Sequence, residues 1–257
     1  MMKKIVFFDV DGTLVNDNKE IPDSARKAVK DLQDKGVYVA IASGRAPFLL
    51  KDICEELNIN SYVSFNGQYV VFEGEMVFDN PLPQTSMERL IEVTEELDHP
   101  LVFMNEETLR TNIPDHHRVH EGMGSLKQDY PELDATFYQG RTLYQCLLFA
   151  DESFDAFYKE KFPEYGFLRW HDVSMDVAPA NGSKAVGIRE MLKRLDFKIE
   201  DAYAFGDGLN DIEMLQEVGT GVAMENGRDE VKAIADFVTD SVDNDGVLKG
   251  LQRLGLL

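Results

Sequence analysis

Four large apolar residues in a row, Ile5-Val6-Phe7-Phe8, stop abruptly at two acids one residue apart, Asp9 and Asp11. A strand with one wet face alternates apolar and polar residues. An unbroken apolar run instead suits a strand covered on both faces, as in a parallel sheet. The chain repeats the device: "VYVAIA" ends at Ser43-Gly44-Arg45, "YVSF" at Asn66-Gly67, and "DAYAF" at Gly206-Asp207-Gly208-Leu209-Asn210-Asp211. Helical patterns separate the first three runs. Ile21, Ala25, Ala28, Val29 and Leu32 share a face over 21–35, with Gly36 as a stop, and Pro47 opens a helix over 47–57. The order β-α-β-α-β predicts an α/β fold: a doubly wound, Rossmann-like parallel-sheet core.

The middle of the chain breaks this rhythm. Two prolines in "FDNPLPQT" (78–85) read as a linker, and Thr85 with Glu88 forms a candidate capping box for a helix over 86–97. Strand-like pieces follow at 101–104 and 144–150, then a helix near 152–162 and strand-like pieces at 166–170 and 173–177. This predicts an inserted α/β cap domain over 83–182, with the core formed by 1–82 plus 183–257. Short strands at 219–223 and 236–239 complete the core.

The chain has 257 residues, 44% of them apolar, enough for a sizeable core. No apolar stretch approaches the length of a membrane helix, and the four apolar residues after Lys3-Lys4 are too few for a secretory leader. A net charge of −21 argues against a nucleic-acid-binding face or an anionic membrane partner. An anionic metabolite would need a locally positive pocket. Cys54 and Cys146 lack a metal-binding spacing and read as free thiols, which fits a cytoplasmic location. A monomer is the default expectation.

In open α/β sheets, ligands bind beyond the carboxyl ends of the strands. The clusters after the buried runs therefore gather Asp9, Asp11, Asp207 and Asp211 at one edge. Four carboxylates cannot all ionise side by side without a cation. All-oxygen ligands select a hard ion, and few dedicated ligands point to Mg²⁺ over Ca²⁺. The donors are complementary: the Ser43 hydroxyl, the close approach allowed by Gly44, and Lys184 at the start of the helix "SKAVGIREML". A lysine there opposes the helix dipole, which makes sense if both face an anion. Metal, carboxylates, cation and hydroxyl together describe phosphoryl transfer. Asp9, last on its strand, is the better nucleophile; Asp11, in the loop, suits proton transfer. His116, His117 and His120 in "DHHRVH" lack a completing ligand and read as a solvated or substrate-facing segment rather than a metal site. Trp170 reads as core, and Arg110, His117 and Arg118 as possible cap contacts to a substrate.

DVDGT, SGR, a lysine opening a helix and GDGLND, in that order, resemble the haloacid dehalogenase superfamily. The large insert and Asn66-Gly67 ahead of it are similar to its Cof-type phosphatases, the branch that includes sucrose-phosphate phosphatase and phosphomannomutase. The resemblance spans essentially the whole chain. It implies a Mg²⁺-dependent phosphatase that hydrolyses a small phosphorylated metabolite (a sugar phosphate, nucleotide or phosphorylated cofactor) through an aspartyl-phosphate. It implies Asp9 as nucleophile and Asp11 as general acid/base. Mg²⁺ would be held by Asp9, the Asp11 carbonyl and Asp207, with Asp211 supporting from behind. Ser43, Gly44, Lys184 and Asn210 would bind the phosphoryl group; Arg45, Asn66 and Gly67 are candidate substrate contacts. The alternatives are a phosphomutase of the same superfamily, a phosphatase confined to disaccharide synthesis, and a non-catalytic sensor of phosphorylated metabolites. A sensor needs neither nucleophile nor acid, so the four-residue set Asp9, Asp11, Lys184 and Asp207 counts against it.

Overall fold

The computed structural model describes residues 3–257 and divides into two compact units: residues 3–45, Leu49–Asp79 and Ser183–Leu257 form one, Ala46–Phe48 and Asn80–Gly182 the other. In chain order the first unit contains β1 (Ile5–Phe8), α1 (Asp23–Asp34), β2 (Tyr38–Ala42), α2 (Pro47–Leu57) from Leu49 onward, β3 (Tyr62–Ser64), β4 (Tyr69–Phe72) and β5 (Glu75–Asp79). The inserted unit contains α3 (Gln84–Glu96), β6 (Leu101–Met104), β7 (Leu109–Thr111), α4 (His117–Ser125), β8 (Gln145–Leu148), α5 (Asp155–Lys161), β9 (Tyr165–His171) and β10 (Ser174–Pro179). The chain then returns with α6 (Lys184–Arg194), β11 (Ala202–Gly206), α7 (Ile212–Glu217), β12 (Thr220–Ala223), α8 (Asp229–Ile234), β13 (Phe237–Val238) and α9 (Gly246–Arg253).

The core sheet runs β13-β12-β11-β1-β2-β3-β4-β5. Its first six strands are parallel. The unbroken apolar run of β1 has its physical reason here. Val6 and Phe8 join a cluster with Ala25, Val29 and Leu32 of α1 and Leu251 of α9. Ile5 and Phe7 join a second cluster with Ile188 and Met191 of α6 and Met214 of α7. All four residues are completely buried. Successive side chains leave a strand on opposite faces, so both faces of β1 are covered by helices. The chain winds outward from β1 through β2 and β3, then restarts at β11 and winds the other way. The reversal between β1 and β11 is the topological switch point, where such sheets place their ligands.

The structure corrects several expectations. β4 and β5 extend the sheet antiparallel, so the core is mixed rather than wholly parallel. β5 ends at Asp79, inside the stretch read as linker. Its hairpin turns through Glu73 and Gly74, both at positive φ. No Thr85–Glu88 capping box forms: α3 already begins at Gln84, behind Pro83, without a side-chain cap. Residues 152–154 form a 3₁₀ turn before the shorter α5. The "DHHRVH" segment enters a helix, and the His116 ring caps α4 by accepting from the Arg118 N–H at 3.2 Å.

The inserted unit holds a five-stranded antiparallel sheet, β7-β6-β8-β10-β9. One face packs on α3 and α5 through Leu90, Phe103, Cys146, Tyr158 and Val177. Trp170 is only partly buried and lies outside that core. Cys146 is buried and Cys54 partly so, both as free thiols. Among the described residues no helix is long and apolar enough to cross a membrane.

Candidate active site

Asp9 follows β1 directly, and its N–H donates to the Phe205 carbonyl of β11 at 2.9 Å. That bond fixes the loop start against the neighbouring strand. β11 in turn delivers Asp207 and, one turn later, Asp211. The Asp211 carboxylate accepts from the N–H of Asp207 (3.0 Å) and of Gly208 (2.9 Å) through one oxygen. Its other oxygen accepts from Lys184 Nζ at 2.6 Å. Lys184 opens α6 and also donates to Asp9 Oδ1 at 2.6 Å. Lys184 and Asp211 are completely buried and Asp9 nearly so. Asp211 thus has both oxygens engaged inside the protein, which makes it a positioning group for the loop and the lysine.

Asp9, Asp207 and Asp211 form a group whose carboxylate oxygens lie within 4.8 Å of one another. The crowding shows in their acidity. Burial, the charge of Asp211 and that of Asp207 push Asp9 up to about 8, against the opposing pull of Lys184. Burial and Asp211 push Asp207 up to about 6, although Thr13 donates to it at 3.2 Å. Burial works against a charged Lys184, but Asp211 and Asp9 outweigh it and raise its pKa. An oxygen-only set with two under-neutralised carboxylates fits a hard divalent cation. Gly12 keeps the set close. Its φ is +83°, and a Cβ there would lie 2.3 Å from Asp207 Oδ2.

Asp11 does not join this group, contrary to the four-carboxylate expectation. Its carboxylate accepts from Arg45 Nε (2.9 Å) and Nη2 (2.7 Å) and from Lys19 Nζ (2.8 Å). Burial alone would raise its pKa, but the Arg45 and Lys19 hydrogen bonds and charges together hold it below the usual carboxylate value. Only its side chain is excluded from the acidic group, so its carbonyl stays open to the role the resemblance implies.

The loops after β2, β3 and β11 are tied together. Asn210 donates to Asn66 Oδ1 at 3.1 Å, and the Asn66 N–H donates to the Ser43 carbonyl at 3.0 Å. A Cβ on Gly44 would meet the Asn66 amide at 3.0 Å. Gly67, at φ +97°, lets its loop lie on the start of α6; a Cβ there would overlap the Ser183 carbonyl at 2.0 Å. Ser43 is buried, and its hydroxyl accepts from the Arg45 N–H at 3.2 Å. It caps that turn and not α2, which begins at Pro47. Arg110 is held by Thr108 and Glu132, and Arg118 by Asp151. Two participants escaped the sequence reading. Lys19 sits in "NDNKE", where no motif marks it. Asn226, which donates to the Gly12 carbonyl at 2.8 Å, follows β12, and the strand-end rule could have found it.

A buried lysine bridging two aspartates, with a third aspartate beside them, forms a charged cluster at the switch point of a doubly wound sheet, the place where α/β enzymes bind their ligands. The chain belongs to the haloacid dehalogenase-like hydrolases, whose family model matches residues 6–251. It is 52% identical over its whole length to the whole of Bacillus subtilis YkrA, which is named a candidate phosphatase. Among solved structures, a hypothetical protein from Geobacillus kaustophilus is 51% identical and superposes with a TM-score of 0.96, over 99% of this chain and all of that one. BT1666 from Bacteroides thetaiotaomicron, described among phosphatases of the superfamily, is 29% identical with a TM-score of 0.91, over all of this chain and 96% of its own.

Proposed function

We propose that the chain is a Mg²⁺-dependent phosphatase that hydrolyses small phosphomonoesters through an aspartyl-phosphate on Asp9. The observation that carries this reading is the Asp9–Lys184–Asp211 bridge with Asp207 alongside. It presents one carboxylate as a nucleophile and neutralises it from behind.

Asp9 attacks phosphorus, forming an oxygen–phosphorus bond as the bond to the leaving alkoxide breaks. Asp11 supplies the proton that the alkoxide takes up, then accepts one from the water that hydrolyses the acyl phosphate. To do so Asp11 must leave the Arg45–Lys19 pairing that holds it ionised and take up a proton from water before it donates one; an incoming phosphoryl group is a natural competitor for Arg45. Lys184, the start of α6, Ser43, Gly44 and Asn210 supply donors to the phosphoryl oxygens. Asp9, Asp207 and the Asp11 carbonyl would hold Mg²⁺, which when bound offsets negative charge on the phosphoryl group. The insert over 83–182 is assigned to substrate selection, and 1–82 plus 183–257 to the chemistry. The protein acts as a cytoplasmic monomer on a phosphorylated metabolite.

The test is phosphate release from a panel of phosphorylated metabolites and phenyl phosphate, with and without Mg²⁺, by the wild type and Asp9→Asn. Metal-dependent release that falls by roughly 10³-fold or more in the variant is expected. Release that survives Asp9→Asn removes Asp9 as nucleophile. Isomerisation with little phosphate release would mark a mutase.

A further inference from the structure

The cations beside Asp11 are placed with more care than a surface ion pair needs. Lys19 has φ +66°, a left-handed backbone that is costly for any residue with a Cβ. Asn16 holds it there. The Asn16 Oδ1 accepts from the N–H of Asn18 (3.0 Å) and of Glu20 (3.1 Å). The Asn16 N–H donates to the Glu20 carbonyl, and the Lys19 N–H donates back to the Asn16 carbonyl, both at 2.9 Å. Asn16 Nδ2 donates to Asp243 Oδ1 at 2.9 Å, which pins the turn to the loop before α9. Glycine would suit position 19 better, yet the turn carries a lysine whose Nζ reaches Asp11 at 2.8 Å.

Arg45 meets the same carboxylate from the loop after β2. It uses Nε at 2.9 Å and Nη2 at 2.7 Å, the fork that matches a planar carboxylate. The arrangement is open to solutes: the side chains of Lys19, Asp11 and Arg45 are 53%, 47% and 28% exposed. A chain with a net charge of −21 has thus aimed two cations at one accessible point. An exposed ion pair adds little to stability, so folding alone does not account for a strained lysine there. All of these residues belong to the core unit.

Asp11 cannot stay in this fork and also act on an ester. In the proposed reaction it turns to the leaving oxygen. An aspartate pivots about only two side-chain bonds, so its carboxylate travels a short way. Lys19 and Arg45 do not follow, because their backbones are tied elsewhere, to Asn16 and to Ser43 and Phe65. The two cations are then left close to the alcohol part of the ester and short of one carboxylate.

We propose that Arg45 and Lys19 form a carboxylate-binding cradle, filled by Asp11 in the free protein and by the substrate during turnover. It selects phosphomonoesters whose alcohol part carries a carboxylate close to the ester oxygen. The assignment rests on the phosphatase reading and deepens it.

The test compares kcat/KM within two matched pairs of esters: 2-phosphoglycolate against 2-hydroxyethyl phosphate, and 2-phosphoglycerate against glycerol 2-phosphate. Each pair exchanges a carboxylate for a hydroxymethyl group on the same skeleton, so the ratio within a pair cancels any general loss of activity. The carboxylate ester should be favoured by about tenfold or more. Lys19→Gln and Arg45→Lys should each draw that ratio toward unity, mainly by raising KM for the carboxylate ester. Lys19→Arg, which restores the charge, should recover it. Thermal melting checks that each variant is folded. If the wild type treats the members of each pair alike, or if the preference survives both Lys19→Gln and Arg45→Lys, the cradle is only a resting contact of Asp11 and the proposal is overturned. Where the wild type releases phosphate from none of the four, calorimetric titration decides. Tighter binding of 2-phosphoglycolate than of 2-hydroxyethyl phosphate, lost in Lys19→Gln, upholds the cradle; equal or undetectable binding overturns it. A wild type inactive toward phenyl phosphate as well would sink the phosphatase reading, and the titration would still judge the cradle by itself.

Discussion

Lys184 Nζ lies 2.6 Å from Asp9 Oδ1 and 2.6 Å from Asp211 Oδ1, with all three side chains out of contact with bulk water or nearly so. The lysine is thus a counter-ion to the proposed nucleophile and to the residue that shapes the Asp207 loop. Lys184→Met should leave two buried carboxylates unpaired, a change that typically costs ~3–5 kcal/mol. The loss should be largest above about pH 8, where Asp9 is ionised, and shrink as the pH falls below that value and Asp9 takes up a proton. Equilibrium denaturation across that range checks it; a loss independent of pH would mean that packing of the lysine stem, not charge, is what matters.

The raised acidities of Asp9 and Asp207, to about 8 and about 6, set the sign of a pH effect in metal-free protein. Above the ordinary carboxylate pKa the unfolded chain has released these protons while the folded chain still holds them. Stability therefore falls as pH rises from about 4 to about 8. Mg²⁺ should remove most of this slope, so the melting temperature gained on adding it should grow with pH. Melting curves at pH 5 and pH 8, with Mg²⁺ and with chelator, decide the matter. An equal gain at both would place the ion away from these carboxylates.

Gly12 separates a cost in folding from a cost in chemistry. Alanine there meets a positive φ, worth roughly 1–2 kcal/mol, and its Cβ displaces Asp207. A displacement near 1 Å is enough for about a 10²-fold loss of rate. Gly12→Ala should melt only slightly lower than wild type yet need far more Mg²⁺ for half-maximal turnover. A normal Mg²⁺ requirement would show that Asp207 is free to move aside.

Asp11 is held ionised by Arg45 and Lys19. Lys19→Ala removes one cation, so the ionisation of Asp11 should move to higher pH. If Asp11 is the proton donor, the fraction of free enzyme that carries its proton rises, and kcat/KM on the acid side of neutrality should rise relative to wild type. Profiles that superimpose would mean that the ionisation of Asp11 does not limit the reaction.

The strands of the core were legible because burial on both faces leaves no alternation to obscure them, and the acids at their ends because polar residues rarely follow such runs without reason. β4 and β5 were not: Glu73-Gly74 lacks the Asn-Gly or Asp-Gly that signals a tight hairpin, both strands are brief, and a proline-rich stretch follows at once. The reading of Trp170 as core failed because size alone does not say which sheet face a residue takes. Lys19 passed unremarked because it meets Asp11 only where the intervening loop turns back, and no local motif records that contact.

The bridge from Lys184 to Asp9 spans 175 residues of sequence, and Asp207 is brought to Thr13 across 194. During synthesis the N-terminal strands emerge first, followed by the entire insert, and only then the segment that carries the lysine and the remaining acids. A growing chain therefore displays Asp9 long before it owns the lysine and loop that surround it. The cluster is completed in one late event, when β11 pairs with β1, so a chain that stops short of Lys184 lacks it.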